Sequence, residues 1–281
     1  MPELPETETV RAQLEPQIVG QTILKTWARL PRITLPSIED FIFRTENQKI
    51  VAAKRRGKQI YFPLESGDNL LVHLGMTGKL HVDSTTVEER FDAETLHKHI
   101  HGVLLLSNGT RLVFTDARTF GKLAVSRELP FLSQMGPEPL DEDFDIEAIS
   151  QKIKKKSTRI KAAILDQTLI AGLGNIYADE VCFLARIHPE TRACDILIEK
   201  LRELVSYMRP TLERAIQARG ATLKDGGYQD TFGQFGEFIP QIYGRTGDAC
   251  DICQTIIRRG TLGAGKTARS YHFCAGCQGE I

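Results

Sequence analysis

The chain opens Met1-Pro2-Glu3-Leu4-Pro5-Glu6, and these residue types can do covalent chemistry. Methionine ahead of a small residue such as proline is readily trimmed, leaving Pro2 with a free secondary amine. An α-amino group titrates near ~7.7–8.0, against ~10.4 for a lysine side chain. A useful fraction is therefore unprotonated at neutral pH and able to attack a sugar C1′, giving an iminium. Pro5 suits a first helical turn, where its missing N–H would be unsatisfied anyway. With a helix beginning at about Glu3, the carboxylates of Glu3 and Glu6 share a face beside that amine. The positive end of the helix favours both carboxylates and disfavours the protonated amine. Taken alone, the six residues also read as an ordinary charged turn on a surface helix buried through Val10, Leu14 and Ile18.

At the other end, Cys250-x2-Cys253 and Cys274-x2-Cys277 are separated by the residues from Gln254 through Phe273. Two such pairs offer four thiolates to one tetrahedral zinc ion. With cysteine in every position, no place is left for a catalytic water, so the expected Zn2+ is structural. Thr255-Ile256-Ile257 and Ser270-Tyr271-His272-Phe273 alternate as a hairpin does, with Gly260, Gly263 and Gly265 in the turn. So short a hairpin buries too little apolar area to stand alone, and a structural zinc supplies ~10–16 kcal/mol. A pair of disulfides is the alternative. It is disfavoured by the helical, partly apolar surroundings of Cys182 and Cys194 and by the absence of an export segment.

The elements that must position these ends fall into two halves. After the first helix, Thr22–Leu30, Gln48–Ala53, Lys58–Leu64, Asn69–Leu74, Val103–Leu106, Thr110–Phe114 and Gly121–Val125 read as short strands. Asn108-Gly109 marks a hairpin between two of them. Met135-Gly136-Pro137-Glu138-Pro139 and the acidic residues after it read as a linker. Helical patterns follow over Asp145–Lys155, Thr158–Leu165, Ile176–Ala185 and a long Asp195–Arg219, with a tight turn at Gly172-Leu173-Gly174-Asn175. Residues 220–240 are glycine-rich and irregular, and no internal repeat is present.

With 281 residues and 41% hydrophobic content the chain can bury a real core and is expected to hold two domains. No apolar run reaches membrane-spanning length. Six cysteines without an export segment point to a reducing cytoplasm. The net charge is zero, but its distribution is uneven. Lys54-Arg55-Arg56-Gly57-Lys58 and the run from Lys152 to Lys161 are basic, whereas 138–147 is acidic. Such a separation is compatible with one positive face and also with ordinary solvated surfaces.

The opening Pro2-Glu3-Leu4-Pro5-Glu6 resembles that of the bacterial formamidopyrimidine-DNA glycosylases, repair enzymes for 8-oxoguanine and ring-opened purines. So do Arg56-Gly57-Lys58, His73-Leu74-Gly75-Met76-Thr77-Gly78, Asp116-Ala117-Arg118-Thr119-Phe120-Gly121, the run from Ala171 to Glu180 and the cysteine ribbon. The motifs span nearly the whole chain in the family's order. The resemblance implies an α+β multidomain fold, with an N-terminal β-sandwich and flanking helices over 1–134 and a linker over 135–150. A helical helix–two-turns–helix domain follows over 151–240, and a four-cysteine zinc ribbon over 241–281.

The same resemblance assigns roles. Pro2 matches the nucleophile that forms a Schiff base with deoxyribose C1′. Glu3 matches the general acid that assists sugar-ring opening, with Glu6 a proton-relay or positioning carboxylate. Lys58 matches the proton donor of β-elimination, and Arg269 the residue of δ-elimination. An arginine hardly gives up a proton in water, so phosphate clamping is expected of it as well. A flipped-out nucleotide leaves a hole in the duplex. Met76, Arg118 and Phe120 match the side chains that fill it. Phosphate contacts are expected from Asn175, whose turn opens a helix, and from Lys156 and Lys161. His99 matches a further DNA contact, Arg245 is expected to brace the ribbon, and 222–228 resembles a loop that closes over the flipped base.

Three departures stand out: Thr7 replaces an expected valine, 83–98 is longer than expected, and 222–240 differs most. A sister endonuclease for oxidised pyrimidines shares the opening and the finger. It usually has glycine where Leu4 stands and lacks Arg118-x-Phe120. A zinc-ribbon damage-binding protein without catalysis is the third reading, and a retained Met1 would favour it. The expected partner is damaged double-stranded DNA, bound by a monomer that needs no membrane.

Overall fold

The computed structural model describes residues 2–83, 96–222, 228–265 and 268–280. By contact the chain divides into two units: Met1–Leu132 with Arg219–Glu237, and Ser133–Ala218 with Phe238–Ile281.

The first unit is a β-sandwich. One sheet contains β1 (Ile23–Ala28), β6 (Gly78–Asp83), β7 (Ile100–Leu106) and β8 (Arg111–Asp116), in the order β1-β7-β8-β6. The other runs β2-β9-β5-β4-β3, from β2 (Thr34–Leu35), β3 (Lys54–Arg56), β4 (Gln59–Pro63), β5 (Asn69–His73) and β9 (Lys122–Ser126). All pairs are antiparallel except β2 with β9. Alternate residues of facing strands, among them Ile60, Phe62, Leu70, Val72, Leu104, Leu112 and Phe114, fill one buried core. Gly109 takes φ +82° in the β7–β8 turn, as the Asn-Gly pair predicts.

Two helices cover the open sides. Helix α1 (Leu4–Ile18) packs on β3, β4 and β6, which include one edge strand of each sheet. Helix α2 (Ile38–Thr45) packs on β1, β2 and β9 at the opposite edges. Covered edges cannot pair with another chain. The predicted stripe of Val10, Leu14 and Ile18 is buried as expected. Thr7, at the unexpected position, is buried too, and its hydroxyl donates to the Glu3 carbonyl at 2.7 Å.

The second unit is helical and ends in the ribbon. After α3 (Pro130–Gln134), which spans the sequence boundary, it contains α4 (Ile146–Lys154), α5 (Ile160–Ile164), α6 (Asn175–Leu184), α7 (Ile198–Ser206) and α8 (Met208–Gln217). Helix α6 is buried from Ile176 through Phe183 and packs against α5, α7 and α8. Buried on all sides, it lies at the centre of its layer, and its two acids, Asp179 and Glu180, are paired there. In the ribbon, β10 (Arg258–Leu262) pairs antiparallel with β11 (Arg269–Phe273), and the short α9 (Ala275–Gln278) follows.

Several sequence expectations shift. The long helix over Asp195–Arg219 is two helices, because Pro210 removes an N–H and crowds the carbonyl four residues back. Gln48–Ala53 makes only isolated bridges, and the strand lies one step on at β3. Strand β6 and helix α2 went unread. Helix α4 begins inside the expected linker 135–150. Residues 219–237, expected with the helical domain, pack with the first unit because α1 holds them. The retained or trimmed Met1, most of the long 83–98 segment and the centre of the 222–228 loop lie outside the described residues.

Candidate active site and nucleic-acid interface

Pro2 is buried immediately before α1, and Glu3, which caps the helix, is 1% exposed. Glu6 fixes both. Its Oε2 accepts the Glu3 N–H at 2.8 Å, the return half of a capping box. Its Oε1 accepts the Ala221 N–H at 2.7 Å. The Tyr228 hydroxyl donates to the Glu6 carbonyl at 3.4 Å. Gly220, at φ +85°, lies so close that a Cβ there would sit 2.7 Å from Glu6 Cγ. Only glycine suits that backbone and that gap. These bonds let Glu6 fix the helix start and the described chain on both sides of residues 223–227.

Lys58 is half-buried in the turn between β3 and β4, after Gly57 at φ +58°, and α1 packs on both strands. Across the same sheet, burial pushes the His73 imidazole below its ordinary value, with help from the charges of Lys58 and Lys122. His73 is thereby favoured neutral, and its Nδ1 accepts the Gly75 N–H at 3.1 Å.

Met76 is half-buried in the β5–β6 turn, whereas Arg118 and Phe120 are exposed in the β8–β9 turn. The Arg118 guanidinium stacks 5.1 Å from the Phe120 ring centroid. Asp116 joins the two turns. Fully buried, it accepts the Thr77 hydroxyl at 2.5 Å and the Arg118 N–H at 3.1 Å on Oδ1. Its Oδ2 accepts the Gly121 N–H at 2.7 Å, and its own N–H donates to the His99 carbonyl at 2.9 Å. Gly75 lets the turns meet, since a Cβ there would lie 2.5 Å from Gly121 N. Asp116 therefore fixes the turns that carry four expected DNA-facing residues: its carboxylate holds Arg118 and the neighbours of Met76 and Phe120, and its backbone N–H holds His99. The sequence motif includes Asp116 but gives it no role of its own. A short acid directly before a turn that must expose an arginine and a phenylalanine was the available signal.

In the second unit, Asn175 is the first residue of α6, with its Nδ2 3.3 Å from the Tyr243 hydroxyl and 3.5 Å from Ser270 Oγ. Lys161 corrects an expectation. It was read as a phosphate contact, but it is completely buried, donating to Asp179 Oδ1 at 2.6 Å and to the Ser270 carbonyl at 2.7 Å. Asp179 Oδ2 accepts the His272 N–H at 2.9 Å and meets its Nδ1 at 3.0 Å. This buried group ties α5 and α6 to β11, the strand that Arg269 begins. Lys156 remains half-exposed and pairs with Asp166 at 3.1 Å. Glu180, also unread in the sequence, accepts the N–H groups of Gln241, Ile242 and Tyr243 at 2.8–3.0 Å. Arg245 braces the ribbon as expected, through Asp251 and the carbonyls of Gln241 and Ala249.

The sulfurs of Cys250, Cys253, Cys274 and Cys277 all lie within 4.8 Å of one another. Neighbouring sulfurs are 3.3, 3.5 and 3.8 Å apart, far beyond the ~2.05 Å of a disulfide. A tetrahedral ion with ~2.3 Å bonds to sulfur spaces its ligands by about 3.8 Å, so the cluster fits one metal. No helix among the described residues is long and apolar enough to cross a membrane.

Comparison with known proteins agrees with this geometry. Residues 1–123 match the family model for the formamidopyrimidine-DNA glycosylase N-terminal domain, and 135–226 match that family's H2TH domain. A formamidopyrimidine-DNA glycosylase of Solibacter usitatus is 41% identical over 282 residues, covering 99% of each chain. A Lactococcus lactis Fpg solved with DNA containing an abasic site superposes with a TM-score of 0.88 at 34% identity, covering 99% of this chain and 100% of that one. The MutM (Fpg) protein of Thermus thermophilus gives 0.86 at 36% identity, with all of both chains covered. The chain belongs to the formamidopyrimidine-DNA glycosylase family.

Proposed function

We propose that this protein is a bifunctional base-excision repair enzyme. It removes oxidised purines, 8-oxoguanine and formamidopyrimidines, from duplex DNA and then nicks the abasic site. The observation that carries the reading is the fixed start of α1, where Glu6 holds the backbone beside Pro2 and Glu3. Trimmed of Met1, Pro2 attacks C1′ as base and sugar part, and Glu3 supplies the proton that opens the sugar ring. The resulting iminium acidifies C2′–H. Loss of that proton breaks the C3′–O bond and releases the downstream strand with a 5′-phosphate, Lys58 serving as proton donor. Loss of the C4′ proton then breaks the C5′–O bond and leaves a 3′-phosphate upstream, with Arg269 at that step. Water hydrolyses the remaining imine and frees the proline.

Met76, Arg118 and Phe120 fill the gap left by the flipped nucleotide. His99, Asn175 and Lys156 hold the backbone. The four cysteines hold one structural Zn2+ that keeps the ribbon folded, and the protein works as a cytoplasmic monomer on DNA. Reductive trapping tests the core of the reading. Borohydride added to protein and an 8-oxoguanine duplex should link DNA to the peptide that begins at Pro2, and thymine glycol should be the poorer substrate. No cross-link, or one mapped to an internal lysine, would remove the proposed chemistry. Binding to an abasic-site analogue should also weaken with salt, the slope of log K on log salt growing by ~0.9 per phosphate neutralised.

A further inference from the structure

We propose that an open cavity of about 500 Å3 in the second unit binds the phosphate-terminated end of a cut DNA strand. The inference rests on the elimination chemistry above. Three arginines line the cavity: Arg159, Arg192 and Arg269. Ser157 and Thr158 add hydroxyl groups, and Leu165 and Leu262 give it apolar wall. Among the described residues no carboxylate lines it.

The arginines are placed and largely uncompensated. Arg159 and Arg192 lie opposite each other in an antiparallel bridge. Its flanking bonds are Ile160 N–H to the Thr191 carbonyl, 2.8 Å, and Ala193 N–H to the Thr158 carbonyl, 2.9 Å. Directly opposed residues in such a pair project to the same side. Arg269 arrives on β11, whose position the buried Lys161–Asp179–His272 group sets. Elsewhere Arg11, Arg44, Arg55, Arg111, Arg202 and Arg245 each hold a carboxylate at 2.5–2.8 Å. Among the described residues Arg192 has only Asp195, at 4.0 Å, and Arg269 reaches only the Ala268 carbonyl, at 3.1 Å. Among the described residues no carboxylate pairs with Arg159 or Arg269.

Guanidinium forks match phosphate oxygens two by two. A phosphate monoester carries close to two negative charges at neutral pH, against one for the diester of an intact strand. Each elimination converts a diester into a monoester, so an acid-free cluster of arginines favours the products over the uncut strand. The apolar wall suits the terminal deoxyribose and base. The cavity thus retains a cut end after chemistry and slows its release.

The test uses the full-length protein and gapped duplexes that differ only at the gap, ending in a 3′-phosphate, a 5′-phosphate or hydroxyls. Competition against a labelled abasic-analogue duplex gives each affinity. At least one phosphate-ended duplex should bind about tenfold tighter than the hydroxyl-ended one, and the arms show which end is held. In Arg159→Ala/Arg192→Ala the preference should fall to within about twofold. It is a ratio within one protein, so a general loss of affinity cancels. If that variant fails to fold, Arg159→Lys/Arg192→Lys decides, because it keeps the charges and loses the forks; the preference should then drop by more than half. Equal binding of all ends by the unaltered protein overturns the inference, as does full preference in either variant. Borohydride trapping on a lesion duplex is read in parallel. Its failure condemns the proposed chemistry whatever the ends do.

Discussion

The start of α1 and the cysteine ribbon face the same task, holding side chains of proposed function still, and meet it in opposite ways. Glu6 at the helix start uses hydrogen bonds from its own chain, backed by the large sandwich core. Among the described residues the ribbon has a small buried cluster of Phe183, Ile242, Cys250, Ile257 and Cys274. It therefore leans on groups whose strength does not scale with area: four thiolates and a buried charge pair. Where apolar burial is ample, polar groups adjust position. Where it is scarce, they carry the fold.

That contrast predicts a lopsided response to damage. Cys253→Ser, or prolonged chelation, should remove the metal and with it ~10 kcal/mol of folding energy from the ribbon. DNA binding should collapse while the first unit melts as before, which differential calorimetry alongside metal analysis would show. A variant that keeps stoichiometric metal and binds normally would erase the contrast. Next comes Lys161→Met. Asp179 would be left buried and charged, a situation that costs ~3–5 kcal/mol. Hydrogen exchange should rise in β11 and α6 and stay unchanged in the β-sandwich.

Glu6→Ala probes the other side. It strands the N–H groups of Glu3 and Ala221 in a buried place, at ~1–3 kcal/mol for each unmade bond. The first unit has core to spare and should still fold. Borohydride trapping should nonetheless fall more steeply than abasic-DNA binding, because the nucleophile loses its place. Equal losses in both readouts would mean that Glu6 serves stability alone.

Much of the fold was legible in the sequence because its signals are local. The Asn108-Gly109 turn, the 1-4 spacing along α1 and the paired CxxC knuckles each follow from residues close in the chain. What stayed hidden depends on contacts between distant residues. Lys161 looks like its neighbours in a basic run, and only the fold reveals Asp179 beside it. Asp116 looks like any turn acid until Thr77 and Gly121 converge on it. The reassignment of 219–237 rests on Glu6 and Gln13 reaching more than two hundred residues ahead. Helix α2 was missed because Phe41 and Thr45 are its only buried residues, too few to show a periodicity.

The smallest expected effect is a pH dependence inside the first unit. In the first unit, the hydrogen bond from Arg44 holds the Asp68 carboxyl below its ordinary value, burial opposing. Arg44 Nη2 sits 2.7 Å from Asp68 Oδ1, and both side chains are mostly covered. A carboxyl depressed in the folded state stabilises above its unfolded pKa of ~3.9 and loses that contribution as pH falls through the folded value. Glu8 behaves alike: burial would raise it, but Arg11 and Arg55 outweigh that and leave it lowered. Acidification from about pH 5 towards pH 3 should therefore weaken the first unit progressively. Asp68→Asn should be less stable at neutral pH by about 1 kcal/mol, and the gap should close as the solution is acidified. Urea melts at a few pH values, followed by the fluorescence of Trp27 on β1 of the same unit, would measure it. A gap that stayed constant with pH would mean that Arg44 and Asp68 contribute packing alone, and the first unit's reliance on placed charges would shrink to Glu6 and Glu8.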